Sequence, residues 1–150
     1  MESLFNKEHN QKIIHRINSL TPSSSAQWGK MNPAQMFKHS QVGLQGAFGE
    51  IKFKRGLIAL LFGKAAKKIL TNDQPFKKNL PTDKAFIIVG QQVNFEDEKK
   101  KLIELVQRFE AKGAAGITSD PHPFFGKLTT AEWDSLQWKH LDHHLRQFGA

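Results

Sequence analysis

Two histidines four residues apart, His140 and His144, stand near the end of the chain in Trp138-Lys-His-Leu-Asp-His-His-Leu-Arg-Gln-Phe148. In a helix, that spacing stacks both imidazoles on one face, one turn above the other. Their nitrogens can then converge on a single metal ion. With a third histidine the set becomes a three-nitrogen site with an open coordination position. Such a site suits a catalytic metal better than a structural one. On a wheel of about 100° per residue, with Trp133 at zero, His140 and His144 fall at about −20° and +20°. Leu136, Leu141, Leu145, Trp138 and Phe148 flank them, so both rings lie inside the apolar arc. Lys139, Asp142 and Arg146 fall on the other side, where the wheel predicts solvent. A buried ring needs a hydrogen-bonding partner, and two rings one turn apart can share one. The alternative is a pair of core histidines, each satisfied locally.

The third ligand must come from His9, His15, His39 or His122, and His39 is best placed. It lies one turn after Gln35 and Met36, on a helical row that continues through Gly43 and Gly46. Glycine inside a helix costs about 1 kcal/mol relative to alanine, and is tolerated where something must come close. That something is either a ligand beside His39 or a neighbouring helix. His122 sits between two prolines and reads as a rigid turn residue or the mouth of a pocket. His9 and His15 belong to a polar helix face. Gln35, His143 and Gln147 are candidates to hydrogen-bond the ligands from behind. A substrate cavity is expected against Gly43, His122, Phe124, Phe125, Trp133 and Leu136. Phe124 and Phe125 are costly to leave in water, and their loop runs directly into the histidine-bearing helix.

The elements that must position these residues are mostly helical. Leu4, Ile13, Ile14, Ile17 and Leu20 form one apolar stripe, predicting a helix over about 3–20 that ends at Thr21-Pro22. Asn32-Pro33 opens a second helix, running to about Phe48. A third, over about 55–70, is apolar nearly all round in its first half. Phe86-Ile-Ile-Val89 is β-prone but lacks a partner and reads as an extended segment. Asn94 opens a fourth helix that Gly113 stops. Thr129-Thr-Ala-Glu132 is a capping-box pattern opening the last. There is no internal repeat and no linker. The pattern predicts one all-α domain over 1–150: a four-helix bundle with an extra short helix and long loops.

Composition narrows the function classes. The 150 residues are 39% hydrophobic and 24% charged, which fits a folded globular domain rather than a disordered chain. The amino-terminal stretch carries early acids and no long apolar run, so it does not read as a signal peptide. The strongest apolar run, Gly56 to Phe62, is too short to span a bilayer. A cytoplasmic protein is expected, without a membrane partner. Cysteine and tyrosine are both absent, which excludes disulfides, thiolate ligands, a cysteine nucleophile and a tyrosine general acid. Any thiol chemistry needs a thiol brought in as a second substrate. The net charge is +8, concentrated in the 50–78 segment, where eight basic residues meet two acidic ones. That segment reads first as a solvated face. It lacks the aromatic interleaving of a nucleic-acid platform, so nucleic acid is not expected as a partner.

Three stretches together carry a resemblance over nearly the whole chain. They are Trp28-Gly-Lys-Met-Asn-Pro-Ala-Gln-Met-Phe-Lys-His39, His122-Pro-Phe-Phe-Gly-Lys-Leu128 and Trp138 to Phe148. In order and spacing they resemble an uncharacterised branch of the DinB/YfiT-like superfamily, four-helix bundles regarded as metalloenzymes. The resemblance implies a divalent metal, zinc or nickel, held by one early histidine and a late H-x-x-x-H pair, here His39, His140 and His144. It implies S-transfer with a low-molecular-weight thiol, a small-molecule substrate and a homodimer. Metal-dependent hydrolysis is the first alternative. A non-enzymatic metal-binding or nucleic-acid-associated stress protein is the second.

Overall fold

The structure is a computed structural model that describes residues 2–53, 67–72, 74–78, 86–88, 90 and 92–150. Four long helices organise them: α1 (Lys7–Ser19), α2 (Pro33–Ala47), α3 (Phe95–Lys112) and α4 (Thr130–Gln147). A 3-10 turn, Gly113–Gly116, follows α3. The described residues contain no β-strand, in keeping with the all-α expectation; an isolated bridge pairs His122 with Gly126. The helix expected over 55–70 lies mostly outside the described residues, where 67–71 are helical. Of the segment expected to be extended, 86–88 are described and form no strand.

Local chemistry sets the helix ends. Asn32 accepts from the Gln35 amide and Gln35 returns the bond to the Asn32 amide, with Pro33 in the first turn of α2. Thr129 and Glu132 make the same reciprocal pair at the start of α4. Asn94 caps α3, whose first turn carries Glu96, Asp97 and Glu98 against the exposed amides. α1 begins later than its apolar stripe predicts. Asn6 caps it by accepting from the His9 amide, while the Leu4 amide donates to Asp134 of α4. Leu4 is therefore held between Asp134 of α4 and Asn10 of α1, ahead of the first turn of its own helix.

Each of α1 and α2 packs against both α3 and α4. Ile13, Ile17, Phe37, Leu44, Leu102, Phe109, Trp133 and Leu141 are fully buried between them. Each such side chain contributes roughly 1.5–3 kcal/mol of burial free energy. Buried polar groups tie the helices together. The Asn10 amide donates to the carbonyls of Leu4 and Val106, and Gln41 donates to Glu98. Arg16 pairs with Asp142 at 2.9 Å. No helix among the described residues is long and apolar enough to cross a membrane.

Lys139 departs from the helical wheel. It is buried, and its ammonium donates to the carbonyls of Ile69, Asn72 and Gln74 and to the Asn72 side chain. The segment after the 67–71 turn covers this face of α4 and lines it with oxygen. The wheel finds the polar side of a helix but not a cover that can solvate a cation in place of water.

Candidate metal centre

α2 contributes His39, and α4 contributes His140 and His144. One nitrogen from each ring falls in a group whose members all lie within 4.8 Å of one another. His39 Nε2 and His140 Nε2 are 3.0 Å apart. The His144 ring stands nearly perpendicular to both neighbours, at centroid distances of 4.6 Å and 4.8 Å. His39 and His144 are buried. His140 is half-buried by accessible area, yet the atoms around its ring are crowded enough for desolvation to dominate its ionisation.

The backs of the rings fix their tautomers, assigned from the hydrogen-bond network. His39 Nδ1 lies 2.7 Å from the Phe86 carbonyl and must donate to it. The Gln147 amide nitrogen donates to the Trp28 carbonyl, so its oxygen faces His144 Nδ1 at 2.8 Å, and that nitrogen must also donate. Both Nε2 atoms therefore carry lone pairs. The short contact between His39 and His140 then requires His140 Nε2 to be the donor. His140 Nδ1 is left without a hydrogen. Gln137, one turn earlier in α4 and 1% exposed, has a side-chain oxygen without a hydrogen-bond partner.

Gly43 explains how the rings come so close. A Cβ there would stand 2.9 Å from the Gln137 oxygen and 3.2 Å from His140 Nδ1. The glycine row of α2 thus admits side chains of α4; at Gly43 it leaves no empty space. Gly29 does the same job at the other end. With φ of 81°, it brings the Trp28 loop against the Gln147 amide, where a Cβ would stand 2.5 Å from that nitrogen.

The electrostatics keep the group neutral. Burial pushes His39 below the ordinary histidine range, against a partial upward pull from the Phe86 carbonyl. Burial, then the neighbouring imidazoles, push His140 well down. Burial and the His39 charge take His144 down to about 3. Three neutral imidazoles are the form in which histidine binds metals. Among the described residues, no hydrogen bond or ion pair brings a carboxylate to these rings; their partners are the Phe86 carbonyl, Gln147 and each other.

The other expected site residues are placed as follows. Gln147 backs His144 directly. The Gln35 oxygen accepts from the Asn32 amide at the start of α2. His143 lies beside the group, its ring 5.0 Å from His144 and between Trp28 and Phe76. His122 is buried, and its Nδ1 accepts from the amides of Phe124 and Phe125, closing a tight turn. Phe125 packs at 4.9 Å from the His122 ring, and Phe124 at 6.1 Å. Trp133 and Leu136 belong to the core. His15 is exposed, whereas His9 is half-buried and accepts from the Ser3 amide.

The expected cavity differs in its walls. A cavity of about 150 Å³ is bounded by Gly46, Phe53, Pro121 and Trp133 among others; Gly43, His122, Phe124, Phe125 and Leu136 do not line it. The first is filled by α4 side chains, and the remainder are spent on the turn and the core. Sequence reasoning passed over Gln137 and Phe86. Gln137 falls at about 40° on the wheel, inside the apolar arc beside His144, and that position was a usable signal. Phe86 acts through its carbonyl, which no side-chain pattern announces.

A family model described as a protein of unknown function, DUF1569, matches residues 2–150. No curated protein and no solved structure matches the chain.

Proposed function

The chain belongs to the DUF1569 family, and for it we propose a divalent-metal site at His39, His140 and His144 that serves a small-molecule reaction. The observation that carries this reading is the convergence of three neutral imidazole nitrogens, two of them with their hydrogens already committed behind the ring. The donor set fits zinc or nickel, which favour imidazole nitrogen. The 3.0 Å between two Nε2 atoms is close to the roughly 3.3 Å that tetrahedral ligands at about 2.0–2.1 Å subtend.

The unpartnered Gln137 oxygen supports the same reading. With His140 Nε2 used for coordination, its hydrogen would move to Nδ1, and the Gln137 oxygen, which like that nitrogen lies close to where a Gly43 Cβ would stand, would have to turn towards it to accept it. His39, His140 and His144 would then each be held from behind, by the Phe86 carbonyl, Gln137 and Gln147. Such outer partners fix ring orientation and raise ligand basicity.

A divalent ion in such a site acts as a Lewis acid with open positions, able to keep a thiol deprotonated or to acidify water. The proposed reaction is transfer of a low-molecular-weight thiol to an electrophile. The chain has no cysteine, so the thiol comes from outside. The rings' described partners include no carboxylate base, which a thiol transfer needs less than a hydrolysis does. His143, kept neutral by burial and next to His144, is the observation favouring hydrolysis as the second reading. Under either, the fold is taken as a DinB/YfiT-like bundle, with a homodimer as the working unit and neither membrane nor nucleic acid as partner. The order of one histidine on an early helix and an H-x-x-x-H pair on a late one supports that assignment.

Calorimetric titration of metal-free, untagged protein with zinc chloride tests the site. One equivalent is expected for the wild type and none for His144→Ala. Equal binding by both proteins overturns the site. A chromogenic electrophile with and without added thiol then separates transfer from hydrolysis.

A further inference from the structure

The two ends of the Gln147 amide have nearly the same shape, but only one orientation suits a metal ligand. With the oxygen towards His144, Nδ1 donates and Nε2 keeps its lone pair for an ion. With the nitrogen towards His144, Nδ1 would have to accept. The ring hydrogen would then sit on Nε2, and the group would lose one of its three donors. The His144 ring does not choose by itself, because a neutral imidazole carries its hydrogen on either nitrogen. The choice is made at the other end of the amide, where the Trp28 carbonyl can only accept. A reversed amide would set two oxygens against each other around a side chain that is 3% exposed.

We propose that Gln27, Trp28 and Gly29 form a tautomer lock for the metal centre: the Trp28 carbonyl orients Gln147, and Gln147 holds the His144 hydrogen on Nδ1. Three contacts fix the lock. The Gln27 amide donates to the Gln147 backbone carbonyl at 2.8 Å. The Trp28 ring lies 5.5 Å from that of His143, and the Lys78 ammonium stands 4.3 Å over it. Gly29 has φ of 81°, and a Cβ there would stand 2.5 Å from the Gln147 amide nitrogen. An alanine at 29 must therefore move the loop or the amide, and either movement draws the amide away from the Trp28 carbonyl.

The same stretch of chain serves a second ligand. Three residues after Gly29, Asn32 caps α2, the helix that carries His39. One loop thus sets His144 through a carbonyl and His39 through a helix start. Gln27, Trp28 and Gly29 are positioning residues, which act through Gln147 and then His144. Their effect is on where a hydrogen sits, not on net charge. The lock itself needs no metal; its effect on metal affinity rests on the metal reading.

The test uses metal-free protein labelled with nitrogen-15 at histidine, at about pH 8, where free imidazole is neutral. Ring nitrogens with and without a hydrogen resonate far apart, and the His144 signals are assigned by their loss in His144→Ala. The wild type should carry the His144 hydrogen on Nδ1. Gly29→Ala should shift it towards Nε2 and should bind zinc about 10–100-fold more weakly by calorimetry. Adding Gln147→Glu to Gly29→Ala should restore both, since a carboxylate accepts at either oxygen and holds Nδ1–H without help from the loop. If Gly29→Ala does not fold, Trp28→Ala, which removes the ring anchoring the loop, should show the same shift to a smaller extent. An unchanged tautomer in the folded variant, or a zinc loss that Gln147→Glu fails to rescue, overturns the proposal. If the tautomer shifts as expected while even the wild type binds no zinc, the metal reading falls and the lock stands.

Discussion

The three-histidine group and the His122 turn hold the same kind of residue in the same kind of burial and do opposite things with it. In both, desolvation keeps the imidazole neutral, with His144 and His122 each pushed down to about 3. In the turn, His122 Nδ1 is consumed by the backbone amides two and three residues on, and the ring staples its own loop. In the group, the Nδ1 atoms of His39 and His144 are consumed from behind, which leaves their Nε2 atoms facing each other and His140. What separates a structural histidine from a candidate ligand is therefore not burial or pKa. It is whether the lone pair that remains points at the chain itself or at its fellows.

The strongest way to break this comparison is to delete one ring from each region. His140→Ala should weaken zinc binding by more than about 100-fold, beyond the range typical for removing an outer partner. Its helix should survive, since alanine is the better helix former. His122→Ala should leave zinc affinity unchanged while lowering stability by about 1–3 kcal/mol, because two amides lose their acceptor. Calorimetry and urea unfolding read the two effects separately. If His122→Ala also lost zinc, the division between the regions would collapse.

A smaller effect sharpens the account of the ring backs. Gln147→Ala and Gln137→Leu should each lower zinc affinity by about 10–100-fold with the three ligands intact. In the metal-free protein only Gln147→Ala should be destabilising. It strips a partner from His144 and the Trp28 carbonyl, whereas Gln137→Leu removes an oxygen that had no partner. Equal losses of stability would mean that Gln137 is already bonded in the absence of metal.

Acid gives the finest distinction. His122 is neutral in the fold down to about 3, but takes a proton near 6.5 when unfolded. Below that value the unfolded chain binds more protons, so stability falls as pH drops from about 6.5 towards 3. The slope is about 1.4 kcal/mol per pH unit for each such histidine. His122→Asn keeps an oxygen that can accept from the turn amides and has nothing to titrate. Its stability curve should be flatter over that window by one histidine's contribution. The same slope in wild type and variant would show that His122 does not govern it.

Much of this is legible in the sequence alone. Asn32-Pro33, Asn94, Gly113 and Thr129 to Glu132 mark helix ends because capping is a local, side-chain-encoded event. His39, His140 and His144 were legible because helical spacing fixes which residues share a face. Lys139 was misread because its burial depends on carbonyls that a distant segment brings to it. The start of α1 was misplaced for a similar reason, since Asp134 takes the Leu4 amide across 130 residues. The glycine row is filled by Gln137 and His140 at Gly43, and by the Phe53 ring at Gly46, where the row meets the cavity. Periodicity says which face is apolar, but not which neighbour fills it.

His39 and His140 meet across 101 residues of chain. An ion bound there is a cross-link in a protein that has no cysteine with which to make one. Like a disulfide, it would close a long loop whose freedom the unfolded chain otherwise keeps, and the entropy removed grows slowly with loop length. Unlike a disulfide, it can be withdrawn by a chelator at constant redox state. The contact is also slow to find, since distant pairings form only after much of the chain has been ordered. The binding point should therefore be assembled late in folding. Zinc added during refolding should slow unfolding far more than it speeds folding.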